Sequence, residues 1–237
     1  MDQIEDFADE RQKAWCIHCG ERIAGLETNR DHVPSKSLLL EPYPPNLPIV
    51  QICKACNEGF SLDEEYLIAF FGSVLTGSTD PGCQHIPNAA RILSRNMGLR
   101  TRIDCARTEY MTLGGETRVV WKPESDRINR VVIKNARGHV FFECSEPMLH
   151  SPQHVACTPL ASLSEEGRRD FEDMGFGSAL AEVGSRLMMR QLTGQDLSGN
   201  WIIVQDGVYR YAIAQSDVTV VRTVLFEYLA TEVRWTH

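Results

Sequence analysis

The sequence predicts an α+β protein in which a zinc-stapled N-terminal module is followed by a mixed α+β C-terminal domain. Three observations lead to this expectation. Two Cys-x-x-Cys pairs lie close together near the start of the chain. Apolar side chains then recur at helical spacing between Tyr66 and Leu75. Residues 201–235 are rich in the β-branched and aromatic residues typical of strands. The Gly- and Pro-containing break at 77–82 separates domains 1–79 and 80–237.

The two Cys-x-x-Cys pairs predict a structural zinc site. Each pair places two thiolates on one tight turn, and two such turns supply the four sulfur ligands of a closed tetrahedral site. The predicted ligands are Cys16, Cys19, Cys53 and Cys56. The other four cysteines have no motif spacing, so reduced thiols are favoured for them over a second metal site or disulfides.

Between and directly after the pairs lie three polar residues that could carry chemistry, Asp31, His32 and Asn57. A zinc ion with four thiolate ligands has no open position, so it would hold these residues without reacting itself. Carboxylate and amide oxygens suit Mg²⁺ or Mn²⁺. A neutral imidazole beside such an ion can take a proton from water. The pattern predicts a site for phosphodiester hydrolysis, with Asp31 and Asn57 as ligands of a catalytic divalent cation.

The order Cys-x-x-Cys, Asp-His, Cys-x-x-Cys-Asn resembles the HNH endonucleases, also called ββα-metal or His-Me finger nucleases. It is similar in particular to the subgroup with two zinc knuckles, such as endonuclease VII. The run D-H-V-P-S-K-S-L is also similar to one in bacterial HNH proteins. The resemblance covers residues 14–75 and implies a ββα-metal, treble-clef-like module. It implies that His32 is the general base and that Asp31 and Asn57 bind the cation. Many members carry a further His on the helix, where this chain offers acidic residues.

Within the first domain, we expect residues 1–13 to form a short helix or a loose lead-in. Asp31 to Val33 should lie on a strand or tight loop, and residues 49–52 on a short strand that delivers the second Cys pair. Residues 53–57 would start a helix that bends or breaks at Gly59 and restarts with Ser61 as its N-cap. Glu64 then completes a capping box, and its alternative role is that of a third cation ligand.

The second domain is expected to be helical first and strand-rich at its end. We expect a helix over 88–98 that stops at Gly98 and a hairpin over 100–122 that turns at Gly114-Gly115. A helix from Ser125 or Asp126, which Gly138 ends or bends, and an irregular stretch over 145–160 should follow. The remaining predicted elements are helices over 164–173 and 178–191, a hairpin over 201–213, and one or two strands over 218–235.

Charge is distributed unevenly along the chain. The net charge of −8 is unusual for a nucleic-acid-binding protein. Residues 86–140 nevertheless contain eleven basic and five acidic residues, a local net charge of +6. Segment 91–137 could therefore contact DNA, with RNA as an open alternative, or its basic residues could be solvated helix faces. A protein partner or a second copy of the chain is also open.

No apolar run approaches the length of about 20 residues that a membrane-spanning helix needs. The N-terminus is acidic and lacks the apolar core of a signal peptide. We therefore expect a cytoplasmic protein without a membrane partner.

Two functional hypotheses follow. The first is a metal-dependent HNH endonuclease that hydrolyses DNA phosphodiester bonds, with His32 as general base, a structural Zn²⁺ and a catalytic Mg²⁺ or Mn²⁺. The second is a non-catalytic, zinc-stapled module that binds nucleic acid or protein. The acidic net charge and the missing helix His favour the second hypothesis, whereas the Asp-His and Asn positions favour the first.

Overall fold

The fold is α+β, and the computed structural model describes residue 1, residues 13–174 and residues 181–236. Most of the lead-in predicted over 1–13 and the start of the helix predicted over 178–191 lie outside the described residues. The chain packs as two compact units, one formed by Met1–Glu58 with Val132–His237 and the other by Gly59–Val131. The boundary drawn from the sequence at residues 79–80 falls inside the second of these units.

The first unit begins with an antiparallel hairpin that leads directly into a helix. Strand β1 (Thr28–His32) pairs with strand β2 (Ile49–Cys53), and His32 lies opposite Ile49. Helix α1 (Lys54–Thr76) starts at the residue after β2. The inward-facing apolar residues of this region form a small core with one cysteine from each pair: Cys16, Ile17, Val33, Val50, Ile52 and Cys53.

The rest of the first unit is built on a six-stranded antiparallel sheet of order β5-β10-β9-β8-β7-β6. Its strands are β5 (His154–Pro159), β6 (Leu197–Ser198), β7 (Trp201–Gln205), β8 (Tyr209–Gln215), β9 (Val218–Leu225) and β10 (Leu229–Thr236). The hairpin predicted over 201–213 is therefore present, and residues 218–235 supply two strands rather than one.

Consecutive residues of these strands are buried, and because they point to opposite faces, both faces of the sheet are covered. On one face, Phe171 of helix α5 (Glu165–Glu172) packs against Trp201 of β7. On the other face, His139 of helix α4 (Ser125–Cys144) stacks on Tyr211 of β8, with ring centroids 3.7 Å apart. Helix α6 (Arg186–Thr193) is linked to this second face through α4, because Arg190 donates to Glu143, which also accepts a hydrogen bond from the Tyr211 hydroxyl. The C-terminal half of α4 also reaches the hairpin core, because Phe141 packs against it.

The second unit contains most of α1 with helices α2 (Pro87–Arg95) and α3 (Met97–Cys105) and a two-stranded ribbon of β3 (Arg107–Met111) and β4 (Thr117–Trp121). Tyr66 and Phe70 of α1 stack on each other, and Phe70 meets Trp121 edge to face. Asp63 of α1 is buried and pairs with Arg127 and Arg130 at the start of α4.

Several predicted element boundaries were wrong. Helix α1 runs through Gly59 and Ser61 without a break, since burial of its later apolar residues outweighs the cost of about 1 kcal/mol for a helical glycine. Gly98 lies inside α3, which is capped by the Asn96 side chain accepting a hydrogen bond from Leu99 N–H. Helix α4 likewise continues past Gly138.

The stretch expected to be irregular over 145–160 contains β5, which pairs with β10. The prolines there did not prevent a strand, because β5 is an edge strand and Pro159 ends it. Among the helices of the described residues, none combines the length and the apolar character needed to cross a membrane.

Candidate metal centre and the residues around it

The four cysteines predicted as zinc ligands come together in the structure. Cys16 and Cys19 lie on a turn closed by a 2.8 Å hydrogen bond from Gly20 N–H to the Cys16 carbonyl, and Gly20 adopts a φ of 75° there. Cys53 ends β2, and Cys56 lies in the first turn of α1. The four sulfur atoms all lie within 4.8 Å of one another.

This geometry fits a structural metal ion. A tetrahedral zinc with bonds of about 2.3 Å separates its sulfur ligands by about 3.8 Å. The Sγ atoms of Cys19 and Cys53 are 3.8 Å apart. The cluster therefore joins the turn that precedes β1, the end of β2 and the start of α1 around one point. Four thiolates would close the site, so such an ion would hold these elements together and would not contact a substrate.

The thiols differ in how readily they ionise. Burial raises the pKa of Cys16, but hydrogen bonds from the backbone of Cys53, Cys19 and His18 outweigh it and lower the pKa overall. Burial and neighbouring thiols raise the pKa of Cys56. In the apo state the cluster would hold protons, which zinc must displace when it binds.

Asp31 and His32 occupy adjacent positions at the end of β1, so their side chains point to opposite sides of the hairpin. Asp31 is buried, whereas His32 is half-buried. Burial lowers the pKa of His32, and the positive charge of Lys36 lowers it further, so the imidazole is neutral near pH 7. A neutral imidazole can accept a proton, as the predicted role of His32 requires.

The Asp31 carboxylate is held by a buried ammonium group. Oδ1 accepts a hydrogen bond from Lys134 Nζ at 2.8 Å, and the other oxygen lies 3.9 Å from His18 Nε2. Burial raises the pKa of Asp31, but the His18 imidazole and the Lys134 charge outweigh it, so the pKa is lowered. Asp31 is therefore an ionised side chain whose charge is compensated inside the protein.

Lys134 and its neighbour also hold Ser35. Lys134 Nζ donates to Ser35 Oγ at 2.8 Å, and the Asn135 Oδ1 atom accepts from Ser35 N–H at 2.9 Å. Lys134, Ser35 and Asn135 could not be singled out from the sequence, since a contact between positions about 100 residues apart leaves no local pattern. His18 was also missed, because no local pattern distinguishes a residue between two knuckle cysteines, although its side chain is only 2 % exposed.

Asn57 and Glu64, the other two residues predicted as cation ligands, lie on α1. Asn57 is half-buried and follows the last cysteine, but within the described part of the chain it makes no hydrogen bond with Asp31 or His32. Glu64 belongs to the second compact unit. Asp31, Asn57 and Glu64 carry oxygen donors of the type that Mg²⁺ and Mn²⁺ prefer. Of the three, Asp31 already accepts a hydrogen bond from the Lys134 ammonium at 2.8 Å, with which a cation bound there would compete.

Several arginines of segment 91–137 are neutralised by nearby acids. In the second unit, Arg107 lies 2.7 Å from Glu109 and Arg118 lies 3.4 Å from Glu116. Asp63 pairs with two more arginines of the segment, which belong to the start of α4. Part of the positive charge counted along the sequence is therefore compensated locally.

No protein-family model matches the chain, and the searches of curated proteins and of solved structures found no match either. The resemblance to HNH endonucleases consequently depends on the motif residues themselves.

Proposed function

We propose that this protein is an endonuclease that hydrolyses phosphodiester bonds in DNA, with His32 as the general base. One observation carries the proposal. The four-cysteine cluster joins a hairpin whose first strand ends in Asp31-His32 to a helix that carries Asn57 near its start. This strand–strand–helix order supports the resemblance to HNH nucleases.

The surroundings of His32 suit an anionic substrate. Arg30 lies two residues earlier on β1 and therefore points to the same side of the hairpin as His32. Both Arg30 and Lys36 place positive charge near the His32 imidazole, as their effect on its pKa indicates. The two side chains are exposed and could contact the phosphates that flank a scissile bond. His32 would take the proton of the attacking water.

The cation that the resemblance implies remains part of the proposal. Mg²⁺ or Mn²⁺ would stabilise negative charge on the phosphate when bound. Asp31 and Asn57 are the predicted ligands of that cation, and we assign no catalytic step to it because the Asp31 carboxylate is bonded to Lys134. The role of this chain's own residues is proton transfer at His32 and phosphate binding at Arg30 and Lys36.

A plasmid-nicking assay tests the proposal. Supercoiled plasmid is incubated with Mg²⁺ or Mn²⁺ and with wild type, His32→Ala or His85→Ala. His85 is an exposed histidine of the second unit and serves as the matched control. We expect His32→Ala to reduce the nicking rate by a factor of about 100 or more, since general base catalysis contributes that much, and His85→Ala to nick like wild type. Equal cleavage by wild type and His32→Ala would refute the assignment of the base.

The second candidate function is a zinc-stapled module that binds nucleic acid or protein without cutting. The observation that favours it is the buried bond between Lys134 and Asp31, which places an ammonium where a nuclease of this type would need a divalent cation. A fluorescent DNA duplex separates the two candidates. Binding of the duplex by zinc-loaded protein with no cleavage in Mg²⁺, Mn²⁺, Ca²⁺ or Co²⁺ would favour the binding module.

A further inference from the structure

The segment that carries His32 is anchored at both ends by one helix. Before His32, Asp31 Oδ1 accepts from Lys134 Nζ at 2.8 Å. After His32, the Ser35 hydroxyl accepts a hydrogen bond from Lys134 Nζ at 2.8 Å, and the Ser35 main-chain N–H donates to Asn135 Oδ1 at 2.9 Å. Lys134 and Asn135 are consecutive residues of α4.

A third contact lies between the two anchors. A Cβ atom built on Gly138 would lie 2.7 Å from Cγ2 of Val33, so the α4 backbone touches the middle of the segment. Positions 134 and 138 are four residues apart and lie on one side of the helix. Val33 is 2 % exposed, and the anchoring side chains of α4 are each 4 % exposed. The segment is therefore fixed on its inner side, while His32 is directed outward.

We propose that Lys134 and Asn135 are positioning residues for His32 and that Asp31 is the anchor of this segment rather than a cation ligand. The part of the inference that concerns catalysis rests on the proposed function. Strand geometry links the anchor to the imidazole, because fixing the inward direction of Asp31 fixes the outward direction of the next residue. Breaking the bond at Asp31 or at Ser35 would let His32 sample other orientations. An imidazole displaced by about 1 Å can lose a large part of its catalytic effect.

The anchoring itself is tested by hydrogen exchange of the Ser35 amide, followed by NMR on the zinc-loaded chain. Asn135→Ala removes the acceptor, and we expect the Ser35 amide to exchange about ten times faster. Asn135→Asp keeps an oxygen at that position and should retain slow exchange. Lys122→Met, which changes an exposed lysine of the second unit, is the control and should leave the Ser35 amide unchanged. Unchanged exchange in Asn135→Ala would overturn the anchoring.

The positioning role is tested by kinetics of nicking. We expect Asn135→Ala to lower kcat about tenfold at unchanged KM, and Asn135→Asp to restore it. A residue needed only for folding would reduce the amount of active protein without this rescue. If wild type does not nick DNA but the Ser35 amide responds as expected, the proposed function fails and the anchoring stands.

The role of Asp31 is tested by Mn²⁺ binding, measured by electron paramagnetic resonance. Asp31→Asn could fail to fold beside a buried ammonium, so the double variant Asp31→Asn/Lys134→Met, which removes both charges, is measured with it. An anchor predicts Mn²⁺ affinity within about twofold of wild type for every variant that folds. Loss of Mn²⁺ binding in the folded double variant would overturn the inference and assign Asp31 to the cation.

Discussion

Arg190 and Glu143 form a buried ion pair in which Arg190 Nε lies 3.1 and 3.0 Å from the two carboxylate oxygens. Their side chains are 1 % and 0 % exposed. The Tyr211 hydroxyl donates to the same carboxylate at 2.6 Å, and Arg190 Nη1 donates to Asp196 at 2.6 Å. Helices α4 and α6 and strand β8 are therefore joined by one polar cluster. The geometry satisfies both charges, which is the condition under which such a pair is tolerated in a protein interior.

Arg190→Met is expected to destabilise the protein by about 3–5 kcal/mol, because it leaves the Glu143 carboxylate buried without its cation. Urea unfolding of the zinc-loaded protein measures the change. Glu27→Gln is the comparison, since it removes the exposed ion pair of Glu27 with Lys54, whose side chains are 78 % and 46 % exposed. This second change should cost less than about 1 kcal/mol. Similar losses of stability in the two variants would show that the buried ion pair contributes no more to stability than the exposed one.

Zinc removal should unfold the hairpin region. The sulfur cluster connects three separate elements, and a structural zinc contributes its binding free energy to folding. We expect purified wild type to contain one zinc per chain by elemental analysis and Cys53→Ser to lose both the metal and most of its soluble yield. Cys83→Ser, which changes an exposed cysteine outside the cluster, should keep the zinc. A wild type that folds without metal, or a Cys83→Ser variant that loses it, would contradict the assignment.

His139 should make the protein sensitive to acid. It is fully buried, stacks on Tyr211, and lies 2.9 Å from the Tyr209 hydroxyl. Burial lowers the pKa of His139 to about 3, whereas a histidine in the unfolded chain titrates near 6.5. Between these values the unfolded state binds a proton that the folded state excludes. The contribution of His139 to stability is therefore complete above pH 6.5 and falls by up to about 1.4 kcal/mol for each pH unit below it.

The variant that tests this is His139→Phe, which keeps an aromatic ring against Tyr211. Urea unfolding between pH 7 and pH 5 should show a smaller loss of stability for the variant than for wild type. Both proteins share the four-cysteine cluster, so acid release of a metal bound there would contribute equally to both curves. Parallel curves would mean that His139 is protonated in the folded state or exposed to water.

The sequence predicted the parts of this fold that local patterns encode. The Asp206-Gly207 turn between two runs of apolar and aromatic residues indicated the hairpin at 201–213, and the Gly114-Gly115 pair marked the turn between β3 and β4. The Cys-x-x-Cys spacing correctly predicted that the four thiols lie together, since each pair needs only a local turn and the geometry of a metal site restricts how the two pairs meet. Errors occurred where tertiary contacts decide: β5 is a strand because it pairs with β10, 70 or more residues later.

The candidate site, like the fold, was predicted from the sequence only where local patterns encode it. Asp31 and His32 were identified from their position between the Cys pairs. Their environments were not, because Lys134 approaches Asp31 from a helix 103 positions away in the chain. Lys134 looked like one of several basic residues of segment 91–137. Only the folded arrangement separates this buried lysine, which is 4 % exposed, from the exposed ones.

Two glycines in helices should respond to alanine in opposite directions. Gly138 of α4 touches Val33, and an added Cβ would lie 2.7 and 2.9 Å from its two methyl groups. Val33 is buried, so it has little room to move, and we expect Gly138→Ala to destabilise the protein by about 1–3 kcal/mol. Gly59 of α1 is exposed, and a Cβ atom added there would lie 4.0 Å from Arg130 Nη2, which is ordinary van der Waals contact. Gly59→Ala should stabilise by about 0.5–1 kcal/mol, because alanine loses less backbone entropy on entering a helix.

Urea unfolding of both variants measures these changes, and a rescue variant identifies the cause at Gly138. Val33→Ala removes the two methyl groups that the new Cβ would meet, so Gly138→Ala/Val33→Ala should lose less stability than the sum of the two single variants. Strict additivity would mean that Val33 is not the obstacle. A stabilising Gly138→Ala would contradict the close approach of α4 to the His32 segment, on which the positioning of the imidazole depends.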